Sequence, residues 1–234
     1  MSPAERRREQ VGLLKLAAVD VPALARAWHD AVRAVGAVAD NGAVDAAGRR
    51  LLAAYAEPHR AYHDLVHLGE VLARVDELAA EAADVIAVRL AAWFHDAVYD
   101  LSAGAEERSA ALGEQMLLRL GLTDAVVTEV ARLVRLTASH DTSADDRNGS
   151  VLIDADLAIL AAPTGRYARY VAGVRTEYAA YDDASFARGR AQVLRDLLAL
   201  PRLFRTSTGA GWEARARANV EQELLGLERA LDSG

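Results

Sequence analysis

The sequence predicts an all-α protein, a single-domain bundle of many helices. Three observations carry that expectation. Leucine, alanine and valine recur at three- and four-residue spacing along the chain, the period of a helix with one apolar stripe. Alternating β-branched runs, the mark of half-buried strands, are scarce. All five prolines (Pro3, Pro22, Pro58, Pro163 and Pro201) fall where a helix begins or ends, since inside a helix proline loses a hydrogen bond and clashes.

Element by element, the first helix spans Pro3–Ala18 and the second Val21–Val35, each with a proline in its opening turn. Val44–Tyr55 follows and stops short of Pro58. Tyr62–Ala80 and Ala83–Val98 come next, each carrying histidine among apolar residues. Glu106–Leu120 ends on Gly121, a good C-terminal stop, and Thr123 is a good N-cap for Asp124–Ser139. The stretch "HDTSADDRNGS" (His140–Ser150) is polar and turn-rich, hence a loop. Val151–Ala161, Arg166–Tyr181, Ala184–Leu200 and Trp212–Leu231 complete the set, with Pro163 and Pro201 punctuating them.

A chain of 234 residues suits one large domain or two small ones. No internal repeat or low-complexity linker divides it, so one domain over residues 1–234 is expected. The hydrophobic fraction of 52% is enough for a real core. No run of about 18 apolar residues exists to span a membrane. The opening "MSPAERRREQ" lacks the apolar stretch of a leader, and a cytoplasmic location is the expectation. Cysteine is absent, which removes disulfides, thiolate ligands and a cysteine nucleophile together. Net charge is −7, which argues against a nucleic-acid duplex as the main partner, and Lys15 is the only lysine, so nearly all the positive charge is arginine.

Chemistry concentrates in three stretches. "AYHDLVHLGEV" holds His63 and His67 four residues apart, so that on one helix both imidazoles would share a face. Alone, such a pair is as well explained by ordinary surface or core histidines. "AAWFHDAVYD" places His95-Asp96 inside an apolar run, where a buried charge needs an arginine partner or a metal. "VLIDADLAIL" places Asp154 and Asp156 in another, where a capped helix start is the plainer account of the two acids. Together these supply His67, His95, Asp96 and one late aspartate. Two imidazoles and two carboxylates on separate helices suit a divalent ion (Mn, Fe, Co, Ni, Zn or Mg) with positions left for water and substrate oxygens.

The order His … His-Asp … Asp across an all-helical chain resembles the HD superfamily of metal-dependent phosphohydrolases. More narrowly, "EPHRAYHDLVHLGEVL", "AWFHDAVYD", "EERSA" and "LIDADLAILA" resemble its bacterial branch of predicted phosphohydrolases, and so do "VRTEY", "FARGRAQVL" and "ARANVEQEL". The resemblance implies an HD-like metal-binding core over about 55–162, with C-terminal helices 163–234 packed on it. It implies His67, His95, Asp96 and Asp156 as metal ligands, because Ala155-Asp156-Leu157 fits the superfamily's context for the last aspartate. Asp154 lies about 200° round the helix from Asp156 and is left to cap or pair.

The opening stretch is also similar to the "YHN…HA" segment of cyclic-nucleotide phosphodiesterases, an HD subfamily. Carried over by position, His63 becomes the general acid and His67 a ligand, with Asp64 standing where that segment has asparagine. Asp96 then serves both metal and catalysis. Further substrate or metal contacts implied by motif position are His140, Glu107 (with Glu106 beside it), Arg175 and Arg190, with Arg60 a third arginine in such a motif. Ala105 stands where the family's asparagine is expected. For His140 the plainer account is a helix C-terminal histidine favoured by the dipole, and for the two glutamates a helix N-terminus. His29 and His59 read as structural.

The expected function is therefore metal-dependent hydrolysis of a small phosphate ester, a nucleotide or related metabolite, with no duplex, membrane or stated oligomer as partner. A non-catalytic metal- and nucleotide-binding module is the alternative. An HD-type iron oxygenase is less well matched, since it wants two histidines between the His-Asp pair and the last aspartate and only His140 lies there.

Overall fold

The computed structural model describes residues 19–232, and among them the chain forms ten α-helices, three short 3₁₀ segments and no strand. The expected helix over Pro3–Ala18 lies outside the described residues.

Aspartates start most of the helices. α1 (Val21–Ala34) begins on Asp20, whose carboxylate accepts the Ala23 N–H, and carries Pro22 in its first turn. α2 (Asn41–Tyr55) begins on Asp40 in the same way, three residues before the apolar period does. α3 (Leu65–Glu77) begins on Asp64, which accepts the N–H groups of Val66 and His67. α4 (Val85–Phe94) begins on Asp84, which accepts those of Ile86 and Ala87. A carboxylate in this place satisfies N–H groups that no helical carbonyl can reach, and its charge suits the helix dipole.

α5 (Ala105–Arg119) starts after Gly104 and stops before Gly121, both with left-handed backbones (φ 77°) that favour glycine. α6 (Asp124–Leu136) starts at Thr123, whose side chain makes no capping bond. α7 (Arg147–Leu157) begins on Asp146, four residues before the expected start, so only His140–Asp146 of the polar stretch is loop. α8 (Thr164–Glu177), α9 (Asp183–Ala199) and α10 (Glu213–Asp232) follow, with 3₁₀ segments at Ala158–Ala161 and Gly209–Trp212.

Two apolar clusters hold these helices together. The larger joins α1 to α7 around Trp28, Trp93 and Phe94, whose rings meet edge to face at 5.5 and 5.8 Å. α4 is its axis: seven of its ten residues are buried, as expected of a helix that is apolar all round. Whatever follows Phe94 is delivered to the interior, and His95-Asp96 follow it. The second cluster gathers Tyr62, Tyr167, Tyr170, Leu194, Phe204 and Val220 from α8 to α10 and the turn before α3. Trp212 packs against both clusters. The seam between them is where the histidines and aspartates lie. No helix among the described residues is long and apolar enough to cross a membrane.

Candidate metal centre

Two expectations about local structure change at the site. Because Asp64 caps α3, His63 precedes the helix instead of sharing its face with His67, and the two rings meet at 77° with centroids 5.6 Å apart. Because α4 ends at Phe94, His95 and Asp96 sit on the turn that leaves it rather than mid-helix. Arg60 fixes both places at once. Its side chain is fully buried and donates to the carbonyls of His63 (3.0 Å), Asp96 (2.7 Å) and Ala97 (3.2 Å), and to Glu57. A buried guanidinium with every prong occupied is a structural clip, not a substrate contact.

The structure brings His67, His95, Asp96 and Asp156 together. The Nε2 atoms of His67 and His95 lie 3.1 Å apart. Asp96 Oδ2 is 3.1 Å from His95 Nε2 and 3.4 Å from His67 Nε2. Asp156 Oδ1 is 3.4 Å from His67 Nε2 and 3.8 Å from that of His95. His67, His95 and Asp96 form a group that could hold a metal ion, with ligand atoms all within 4.8 Å of one another. Ligand atoms about 2.1 Å from one ion are spaced about 3.0–3.4 Å from their neighbours, so the separations among His67, His95 and Asp96 fit, and Asp156 Oδ1 meets that range from His67 but lies farther from His95. The tautomer fits as well. His95 Nδ1 is 2.8 Å from the Ala92 carbonyl and must donate to it, which leaves the lone pair of Nε2 facing the cluster.

Electrostatics follow from two carboxylates beside two imidazoles in a dry place. Burial disfavours a charge on His67, but hydrogen bonds that its ring donates to Asp156 and Asp96 outweigh it and push its pKa up to about 10. His95 is raised as well, against burial, by the charge of Asp96. Burial alone would raise Asp96, yet the charges of His95 and His63 hold it well below the usual carboxylate range. Asp156 is likewise held low, against burial, by hydrogen bonds from His140 and His67. The cluster is built to neutralise positive charge, whether a proton or a cation.

Asp154, two residues from Asp156, faces elsewhere. It is fully buried and accepts the N–H groups of Arg205 and Thr206 and the Thr206 hydroxyl at 2.7–2.9 Å. It therefore caps the segment between α9 and α10. His140 reaches the cluster instead, with Nε2 3.0 Å from Asp156 Oδ2. Its backbone is left-handed (φ 51°) and its carbonyl accepts from the Arg205 guanidinium at 2.6 Å. A non-glycine residue held in this region marks a position the surroundings enforce.

A cavity of about 290 Å³ opens on the cluster, lined among others by His63, His95, Asp96, Asp156 and His140. His63 Nδ1 is 2.8 Å from Glu177 Oε2, so the ring donates there. The other oxygen of Glu177 accepts three successive backbone N–H groups, those of Ala61, Tyr62 and His63, at 2.7–3.0 Å. Burial opposes its charge, but the His63 hydrogen bond and these N–H groups hold its pKa down to about 2. Tyr99 donates to the same carboxylate at 2.9 Å and stacks on the His63 ring at 4.2 Å.

Glu177 and Tyr99 are absent from the expected set, although "VRTEY" contains the glutamate. Other expected contacts do not reach the site. Glu107 pairs with Arg135 on the surface, and Glu106 lines the cavity in its place. Arg175 binds Asp183 and the carbonyls of Tyr178 and Tyr181, closing the turn between α8 and α9. Arg190 is buried against Glu223 and the Tyr170 hydroxyl. Both arginines are consumed by helix packing. His29 pairs with Asp45 and His59 with the Tyr99 carbonyl, away from the cluster.

No family model, curated protein or solved structure matches the chain, so any functional reading rests on the chemistry of this site.

Proposed function

We propose that the protein is a metal-dependent hydrolase of a small phosphate ester. The observation that carries this reading is the convergence of His67, His95, Asp96 and Asp156 beside a cavity into which a separately positioned histidine, His63, also faces. A divalent ion of the first transition row, or magnesium, would supply Lewis-acid activation of water and of a phosphoryl oxygen there. The order of these residues, like that of the HD phosphohydrolases they resemble, supports the same reading.

The chain's own contribution is positioning and proton transfer. Glu177 takes the Nδ1–H of His63, which leaves Nε2 to exchange a proton with the departing oxygen. In the net reaction one P–O bond to water forms and one ester P–O bond breaks. The departing oxygen takes its proton from His63, the proton shed by water passes to solvent, and His63 regains one from solvent. Tyr99, stacked on the ring, keeps it from turning away. A closed structural zinc site would not need such a group at its edge.

The test is metal analysis of the purified protein, then phosphate release from mononucleotides, cyclic nucleotides and simple phosphoesters with manganese, cobalt, nickel, iron, zinc or magnesium. His63→Ala should cut turnover about 10²–10⁴-fold and keep the metal, whereas His95→Ala should lose both. Nucleotide binding without turnover in wild type would replace this reading with that of a non-catalytic module.

A further inference from the structure

The cluster has a second opening. His67 and Asp156 also line a separate cavity of about 430 Å³, and Asp156 is the one residue lining both. Their charges differ in sign. The smaller cavity is lined by Asp96, Glu106 and Asp156 and by no arginine or lysine. The larger is lined by Arg74, Arg166 and Arg215 against Glu70 and Asp156.

Two of these arginines are held in place. Arg166 takes Glu70 in a two-pronged pair at 2.6 and 2.5 Å, and Arg74 pairs with Glu77 and lies 5.5 Å from the Trp212 ring. Arg215 is different. It is exposed, and it has no hydrogen-bond or ion-pair partner among the described residues. Ile159, Pro163 and Trp212 give the same cavity an apolar wall. Its volume is that of a small-molecule site.

We infer that this second cavity binds an anionic group of the ligand that lies beyond the one held at the cluster, with Arg215 as its cation. The ligand class is then a multiply charged organic phosphate, such as a nucleoside diphosphate, spanning the cluster with one part in each cavity. A phosphomonoester of an uncharged alcohol would leave the arginine-lined side unused. An unpaired cation beside an otherwise acidic surface draws such an anion without making the protein basic. Calling that ligand the substrate rests on the hydrolase reading; the binding itself does not.

The test is calorimetric binding of adenosine 5′-diphosphate, inorganic pyrophosphate and adenosine to the metal-loaded protein. Wild type should bind the two phosphates and bind adenosine far more weakly. Arg215→Ala should weaken both phosphates about tenfold or more, as loss of a charge-assisted hydrogen bond does, while leaving adenosine, metal content and melting unchanged. Arg202→Ala, which removes the same charge outside the cavity, should bind as wild type does. Equal affinity of Arg215→Ala and wild type, or no binding of either phosphate by wild type, would overturn the inference. Binding that depends on Arg215 with no phosphate release from any compound would keep this site and remove the hydrolase reading. Hydrolysis indifferent to Arg215 would do the reverse.

Discussion

Asp154 and Asp156 are two residues apart in one apolar run, and the structure gives them opposite tasks that a pair of alanine variants separates. Asp154→Ala strands the N–H groups of Arg205 and Thr206 and the Thr206 hydroxyl in a place where the carboxylate itself is fully buried. An unsatisfied buried donor costs about 1–3 kcal/mol, and the hydroxyl can turn toward another acceptor, so a loss of about 3–5 kcal/mol is expected. That is a large share of the roughly 5–15 kcal/mol by which domains are stable. It lowers the melting temperature by roughly 6–20 °C for a chain of this size. Asp156 is partly exposed, at 18% of its side chain, and caps no backbone group, so Asp156→Ala loses only its side-chain partners His140 and His67 and should cost less than Asp154→Ala. Urea unfolding followed by circular dichroism, with chelator present so that ion binding does not add stability, measures both. Metal titration of the same proteins should then show Asp156→Ala weakened and Asp154→Ala unchanged while folded. A stable Asp154→Ala that has lost its metal would refute the assignment of the two carboxylates.

Four further outcomes follow from the packing around the site. Arg190→Ala leaves Glu223 buried without its partner and should cost about 3–5 kcal/mol of stability while KM stays unchanged, which unfolding and steady-state kinetics together report. Glu177, held at about 2 against an ordinary 4.5, has a depressed folded pKa. Its contribution of about 3 kcal/mol is therefore complete above pH 4.5 and lost as pH falls toward 2, and Glu177→Gln should flatten the stability–pH curve over that window. A Cβ on Gly173 would lie 3.0 Å from that of Tyr62 and 3.1 Å from the Ala61 carbonyl, so Gly173→Ala should destabilise by about 1–3 kcal/mol. Gly165→Ala, with nothing within 4 Å on the same helix, should be neutral or stabilising by up to about 1 kcal/mol.

The all-helical class and most helix positions are legible in the sequence, because periodicity and proline placement are local signals. Boundaries are less so. The aspartates that cap α2, α3 and α7 set starts that the apolar period does not mark, and Asp64 is what takes His63 off the helix. In the site, His67, His95, Asp96 and Asp156 stand out as polar groups in apolar surroundings, and the structure gathers them. Glu177 does not stand out, since its partners are backbone N–H groups more than a hundred residues earlier. Glu106 and Glu107 differ only by a step around one helix, and register alone decides which meets the cavity. The arginines mislead for a compositional reason. With a single lysine in the chain, arginine serves packing as well as any ligand, and Arg60, Arg175 and Arg190 are all spent on packing.

Two buried carboxylates outside the cluster, Glu177 and Asp154, stitch the seam in opposite directions. Glu177, on α8, reaches back to residues 61–63, and Asp154, on α7, reaches forward to residues 205 and 206. Each stitch sits beside a working part of the centre: one holds His63, and the other secures the strand of chain whose Arg205 holds His140. A motion that parts the C-terminal helices from the rest breaks both stitches together and frees His63 and His140, while His67, His95, Asp96 and Asp156 stay with the helices that remain. Amide protons of residues 61–63 and 205–206 should thus exchange with solvent at one common rate, as a single opening unit, although nearly 150 positions of chain lie between them. Closure of the two halves is what holds His63 and His140 beside the four clustered residues.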